Sequence, residues 1–286
     1  MKTFDDNWGG KWTQDKIDIF LKYLQAYLTI MSKQNFKLIY FDGFAGSGKI
    51  QSGIKNQELI EGVASQVLSL TQPIGFNIYY LVDLNKKKAK NLESAIKVLF
   101  PDNEKRSTFV VSDDCNKRLK SMAAFLSKNN KSYRALAYLD PYGMEVDWSS
   151  LEKFKSVPCD LWILVPTGVG VNRMLTQSGK INDSWMKKLG KFLGLDENEI
   201  KKTFYKEQIQ QNLFGETESK LIKEDRAIKM IIDIYKERLK TIWKFASNPF
   251  PMKNSGGSVM FHFLCVSQNQ TAIKIANEII GSQLLK

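Results

Sequence analysis

The chain contains a single histidine, His262, among 286 residues. That scarcity works against whole reaction classes. A Ser-His-Asp triad, a histidine dyad and a multi-histidine metal site all need imidazoles that this chain does not have to spare. His262 itself sits in the apolar run Val259-Met260-Phe261-His262-Phe263-Leu264-Cys265-Val266, where a buried structural role is expected. Cysteine is scarce too. Cys115, Cys159 and Cys265 are odd in number, far apart and form no CxxC, so neither a disulfide framework nor a metal site is expected, and a reducing cytoplasm fits. No stretch reaches the roughly 18 unbroken apolar residues of a membrane span. The first residues, Met1 to Lys16, lack the apolar core of a secretory leader. These absences describe a soluble cytoplasmic protein with no membrane contact.

What the chain does have is apolar content of 43%, ample for one large core or for one domain carrying a smaller insert. Its formal net charge is +12. Such a balance favours a polyanionic partner, DNA or RNA being the usual one, and is equally compatible with a lysine-rich genome decorating a surface. Half the excess falls in residues 168–253, which hold 17 Lys/Arg against 11 Asp/Glu.

Periodicity organises the rest. After Thr13, a plausible N-cap, Ile17, Phe20, Leu21, Leu24, Tyr27, Leu28 and Met31 recur at helical spacing. Short apolar runs then alternate with helical stretches: strands are predicted at 38–41, 77–82, 108–111, 135–139 and 160–165, with helices over 58–70, 86–100, 116–128 and 149–154. Such alternation predicts an α/β fold with a parallel sheet and right-handed crossovers. Residues 170–247 lose strand character and carry the stripe Ile228, Ile231, Tyr235, Leu239 and Ile242, so this segment reads as a helical insert. A strand at 258–266 and a helix at about 270–285 close the chain. The expected division is 1–167 with 254–286 as the main domain and 168–253 as a basic, helical insert.

Asp42, Asp83, Asp113 or Asp114, and Asp140 each follow a predicted strand. In an open parallel sheet those ends share one rim, where ligands bind. Turn preference alone also places Asp after strands, though four in succession is a stronger pattern. The first turn, Asp42-Gly43-Phe44-Ala45-Gly46-Ser47-Gly48-Lys49, is rich in glycine and lets backbone approach a ligand closely. Gly43-x4-Gly48-Lys49 nearly matches a phosphate loop, but Ile50 stands where a hydroxyl should bind magnesium and Gln51-Ser52-Gly53 does not look like the start of a helix. An NTPase reading therefore competes with S-adenosylmethionine, whose sulfonium and amino group favour a carboxylate and whose ribose favours an acid ending the second strand, as Asp83 does. A nicotinamide dinucleotide is disfavoured, because Asp83 lies too far from glycines that are not spaced GxGxxG.

Asp140-Pro141-Tyr142-Gly143 follows the fourth strand, beside the first loop in a doubly wound sheet. An Asp carboxylate and a Pro carbonyl can accept hydrogen bonds from an exocyclic amine and aim its lone pair at a methyl group. Tyr142 offers a face to a flat ring. A plain Asp-Pro turn is the alternative.

Tyr40-Phe41-Asp42-Gly43-Phe44-Ala45-Gly46-Ser47-Gly48, Tyr138-Leu139-Asp140-Pro141-Tyr142-Gly143, and Leu164-Val165-Pro166-Thr167-Gly168 with Asn172-Arg173-Met174-Leu175 resemble the three-Cys-motif partner proteins. The resemblance spans nearly the whole chain. These are bacterial, often phage-defence-associated proteins, similar to class I methyltransferases and encoded beside a protein with three cysteines. The resemblance implies a Rossmann-like, doubly wound, mostly parallel seven-stranded sheet with its last strand antiparallel. It implies S-adenosylmethionine as cofactor, held by Asp42, Gly43, Phe44, Ala45, Gly46, Gly48, Asp83, Asp113 and Asp114. It also implies Asp140, Pro141 and Tyr142 as the substrate motif. The chain departs from the family where Glu61-Gly62-Val63-Ala64-Ser65 replaces a Gly-Ser-Pro, and where one proline replaces the usual two after the motif acid. The function expected is methyl transfer to an amino nitrogen of a nucleic-acid base, flipped out if the target is duplex, with Arg173, Lys187, Lys188, Lys191 and Lys240 holding phosphates. The rivals are a non-catalytic partner subunit of the three-cysteine protein and the NTPase.

Overall fold

Strands that read as unbroken apolar runs are strands covered on both faces, and the computed structural model builds them so. It describes residues 11–47, 49–50, 60–100, 107–211 and 217–285. Five strands run parallel, with β5 at the sheet's edge: β1 (Lys37–Asp42), β4 (Ile78–Val82), β5 (Ser107–Val111), β6 (Tyr133–Leu139) and β7 (Cys159–Val165). Along β1, side chains alternate as the pleat requires. Leu38 and Tyr40 join one core, and Ile39 and Phe41 the other.

The first core lies under α1 (Lys11–Met31), α2 (Val63–Ser69), α3 (Lys86–Leu99) and α9 (Gln270–Leu284). Aromatic rings dominate it: Phe20 meets Tyr138 with centroids 4.5 Å apart, and Trp162 meets Phe263 at 4.8 Å. The opposite core lies under α4 (Cys115–Lys128), α5 (Trp148–Leu151), α6 (Asp183–Leu193), α7 (Glu197–Phe204) and α8 (Ala227–Lys240). Helix starts are capped by local carbonyl or carboxylate side chains: Asn85 on α3, Asp114 on α4, Asn182 on α6, and a reciprocal Asp196–Glu199 pair on α7. Thr13, expected as the N-cap of α1, lies inside that helix instead.

The strand order is β5-β4-β1-β6-β7-β12-β10, where β12 (Val259–Ser267) runs antiparallel to β7. β10 (Phe245–Ala246) and β11 (Phe250–Lys253) both pair with β12, so they act as one interrupted edge strand, and the edge tolerates Pro251. This is a Rossmann-like, doubly wound, mostly parallel sheet. From β1 the chain winds one way to β4 and β5, then returns to wind the other way through β6 and β7. The winding reverses between β1 and β6, which is where such sheets open a crevice.

The stretch expected to be a helical insert is mixed. Its helices α6, α7 and α8 are joined by a polar antiparallel ribbon, β8 (Tyr205–Gln211) with β9 (Thr217–Lys223), and its last residues form the β10–β11 edge. Helix α8 is not peripheral, because Ile231, Ile232, Tyr235 and Leu239 are buried in the same core as β7. No described helix is long and apolar enough to cross a membrane.

Candidate functional site

The loop after β1 straddles the crevice through its own backbone. Gly43 N–H donates to the Tyr138 carbonyl of β6 (3.0 Å), and Ala45 N–H donates to the Val82 carbonyl of β4 (2.8 Å). Gly46, with φ of +65°, donates to Asp83 Oδ2 (3.0 Å). Two glycines are needed here for different reasons. A Cβ on Gly43 would lie 2.5 Å from Leu139 and 2.6 Å from the Cys115 sulfur, whereas Gly46 needs its left-handed backbone and faces open space. Phe44 N–H is taken by Asp42 Oδ1 (3.0 Å). Gly48, expected in the same loop, lies outside the described residues.

Asp42 is 2% exposed. Burial lifts its carboxyl to about 7, opposed by the Phe44 N–H and the Tyr40 hydroxyl and reinforced by Asp140 and Asp83 nearby. Asp83 accepts from Gly46 and from Asn85 N–H (2.7 Å), which ties the loop to the start of α3. Asp113 and Asp114 sit at the end of β5, on the outer side of β4 from the crevice. Asp113 pairs with Arg118 (2.7 Å) and Lys117 (3.1 Å), and its carboxyl is held below its usual range, first by the Asp114 N–H and then by Lys117. Asp114 caps α4 through Lys117 N–H. Both carboxylates therefore also serve the start of α4.

Asp140 follows β6, two residues beyond Tyr138, the register partner of Asp42. The structure thus brings the glycine loop and the Asp140-Pro141-Tyr142 step to one crevice. Asp140 Oδ2 receives the ammonium of Lys16, from α1, and the hydroxyl of Tyr138 (3.4 Å). Pro141 is buried, while Tyr142 is 64% exposed, with the Lys88 ammonium 5.2 Å from its ring centre. Asn116 braces the segment that follows. Its amide donates to the Glu145 carbonyl (2.8 Å) and accepts from Asp147 N–H (2.7 Å).

The Pro166-Thr167-Gly168 motif turns at the same rim, in a π-helical turn over Thr167–Asn172. Thr167 and His262 are hydrogen-bonded at 2.9 Å, and burial drops the imidazole to about 4, so it is neutral near pH 7. His262 is therefore the structural histidine expected from its apolar run. The ammonium of Lys223, on β9, caps the carbonyls of Asn172 (2.7 Å) and Leu175 (2.8 Å), which pins the polar ribbon to this turn.

The basic candidates separate. Arg173 is exposed immediately after the π-helical turn. Lys187, Lys188 and Lys191 share an exposed face of α6. Lys240 is not at the rim. β10 runs parallel to β7 because both oppose β12, so residues preceding β10 lie at the edge where β7 begins, and Trp243 Nε1 donates to the Cys159 carbonyl there (2.8 Å). Lys240 pairs with Glu237 (2.9 Å) at that far edge.

The NTPase resemblance also fails. Lys49–Ile50 pair with Ile60–Glu61 as two short strands, β2 and β3, so the loop runs into a strand, and the next described helix starts at Val63. A phosphate loop instead opens directly into a helix whose N-terminus faces the anion.

Sequence reasoning missed Lys16 and Asn116. A signal for Lys16 was present: it lies at helical spacing from Phe20, Tyr23 and Tyr27, on the face that the helix buries.

No family model matches the chain, and no curated protein matches it. Among solved structures, Trm1 from Pyrococcus horikoshii in complex with S-adenosyl-L-methionine aligns with 98% of this chain at 10% identity and a TM-score of 0.46. The chain spans 60% of that protein's length. Protein LPL1258 from Legionella pneumophila str. Philadelphia 1, of family DUF519, aligns with 92% of this chain and 99% of its own, at 16% identity and a TM-score of 0.43. What the crevice can bind follows from its own side chains.

Proposed function

We propose that this protein is an S-adenosylmethionine-dependent methyltransferase acting on an amino nitrogen of a nucleic-acid base. The observation that carries the reading is the charge of the crevice. Asp42, Asp83 and Asp140 end neighbouring strands where the sheet reverses its winding, and Asp42 is raised first by burial, with Asp140 and Asp83 adding to the shift. Carboxylates this close favour a cation and disfavour a phosphate. The residues present fit the cofactor: a glycine turn that permits close approach, a buried acid, and a second acid ending the neighbouring strand. The Trm1 structure was obtained with S-adenosyl-L-methionine, and the motif resemblance to three-Cys-motif partners points to the same ligand.

When bound, S-adenosylmethionine supplies a methyl group activated by its sulfonium. The chain's part is positioning. Asp83 would take the ribose hydroxyls, and the Gly43–Gly46 backbone would lie against the amino acid moiety, with Asp42 offsetting its positive charge. Asp140 and the Pro141 carbonyl would each accept one N–H of the target amine, which aims the nitrogen lone pair at the methyl group. Tyr142 would stack on the base. Arg173 and the Lys187, Lys188 and Lys191 face would hold phosphates, in keeping with the net charge of +12. By the resemblance, the protein would act beside a three-cysteine partner in phage defence.

Tritiated-methyl transfer to mixed DNA and RNA tests the reaction. Wild type should label nucleic acid and Asp140→Ala should not. Equal counts from both proteins would remove Asp140 from the mechanism.

A further inference from the structure

A lysine on the buried face of a helix is costly unless its charge is met. Lys16 is 4% exposed, and α1 cannot swing it away: Ile17, Phe20 and Leu24, which follow it on the helix, are fully buried, and Asp15 before it is tied to Gln283 of α9 (2.9 Å). The ammonium is therefore a fixed cation, and it meets Asp140. It shares Asp140 Oδ2 with the Tyr138 hydroxyl, so among the described residues both donors converge on the same oxygen. Asp42 on β1 and Asp83 at the β4 end face the same crevice, the Lys88 ammonium stands over the Tyr142 ring, and the neighbouring Tyr40 and Tyr138 hydroxyls are neutral.

Resting on the methyl-transfer reading above, we propose that Lys16 is a positioning residue for the acceptor amine: with Tyr138 it holds Asp140 Oδ2, leaves Oδ1 to accept the amine N–H, and neutralises the pair so that the site takes an uncharged amine. A nucleobase amine is uncharged and can give its two N–H groups to Asp140 Oδ1 and the Pro141 carbonyl. An alkylammonium would bring a second positive charge beside Lys16. The same arrangement separates the two halves of the crevice, with Asp42 and Asp83 facing the cationic cofactor and the Lys16–Asp140 pair facing the neutral acceptor.

The test compares wild type with Lys16→Met and Lys16→Arg in the full chain. Thermal melting and S-adenosylhomocysteine calorimetry establish that each variant is folded and loaded. Carbon-13 NMR of the Asp140 carboxyl at one fixed pH, without any ligand, reads the pair directly. In Lys16→Met the Asp140 carboxyl carbon should move from its wild-type chemical shift at the same pH. Methyl transfer to mixed DNA and RNA oligonucleotides should fall about a hundredfold, in kcat more than in KM. Lys16→Arg should recover most of both. If Lys16→Met does not fold, Lys16→Gln provides the same readouts with a neutral donor. A wild-type Asp140 carbon-13 shift and a wild-type transfer rate in Lys16→Met would overturn the assignment of Lys16 alone. Wild-type protein that binds neither S-adenosylmethionine nor S-adenosylhomocysteine would overturn the methyl-transfer reading and this inference with it.

Discussion

Replacing Asp42 with asparagine should make the protein more stable at alkaline pH and worse at binding a cation. The carboxyl is 2% exposed and lifted from 3.8 to about 7, with burial as the leading cause. A raised carboxyl contributes its full stability below about pH 4 and loses it as the pH climbs through 7, because the folded state then holds a charge it disfavours. At about 1.4 kcal/mol per pH unit, that ionisation costs on the order of 4 kcal/mol above pH 7. Asparagine keeps an oxygen to accept the Phe44 N–H and cannot ionise. At about pH 8, Asp42→Asn should therefore melt higher by about 5 °C or more. At about pH 4 the difference should vanish. Calorimetric melting of both proteins across that range reads the effect. A melting difference that is flat with pH, or a variant less stable at about pH 8, would refute the reasoning.

Gly43→Ala should lower stability by about 1–3 kcal/mol, because the added methyl meets Leu139 and Cys115 in a packed core; urea unfolding checks it, and an unchanged midpoint would show that the loop is slack. His262 is depressed to about 4, so its contribution is present above pH 6.5 and is lost as the pH falls towards 4. His262→Gln should remove about 3 kcal/mol of acid sensitivity over that window, read by urea midpoints at several pH values; equal acid sensitivity in both proteins would contradict it.

The inner parallel strands β1, β6 and β7 were legible because both their faces are buried. Residues such as Leu38-Ile39-Tyr40-Phe41 carry no polar interruption, and the acids that end them mark the rim. The β8–β9 ribbon was not legible. Lys206-Glu207-Gln208 and Glu218-Ser219-Lys220 bear no apolar alternation, and Ile209 is 71% exposed, so there is no core pattern to read. The β10–β11 edge contains Asn248-Pro249 and Pro251, which read as loop, and its pairing is imposed by β12. The acids at the strand ends were legible because local apolar runs point to them. The partner of Asp140 was not, since Lys16 lies 124 residues away and a helical lysine is expected to reach for water. The misplacement of Lys240 has a similar origin, because its distance from the rim depends on the direction of β10, which only the sheet reveals.

Isothermal titration of the wild-type protein with S-adenosylmethionine, and separately with ATP, tests the crevice most directly. A site lined by Asp42, Asp83 and Asp140 should bind S-adenosylmethionine one to one in the micromolar range, lose that binding in Asp83→Ala, and give no heat with ATP. Micromolar ATP binding with no response to S-adenosylmethionine would contradict the account.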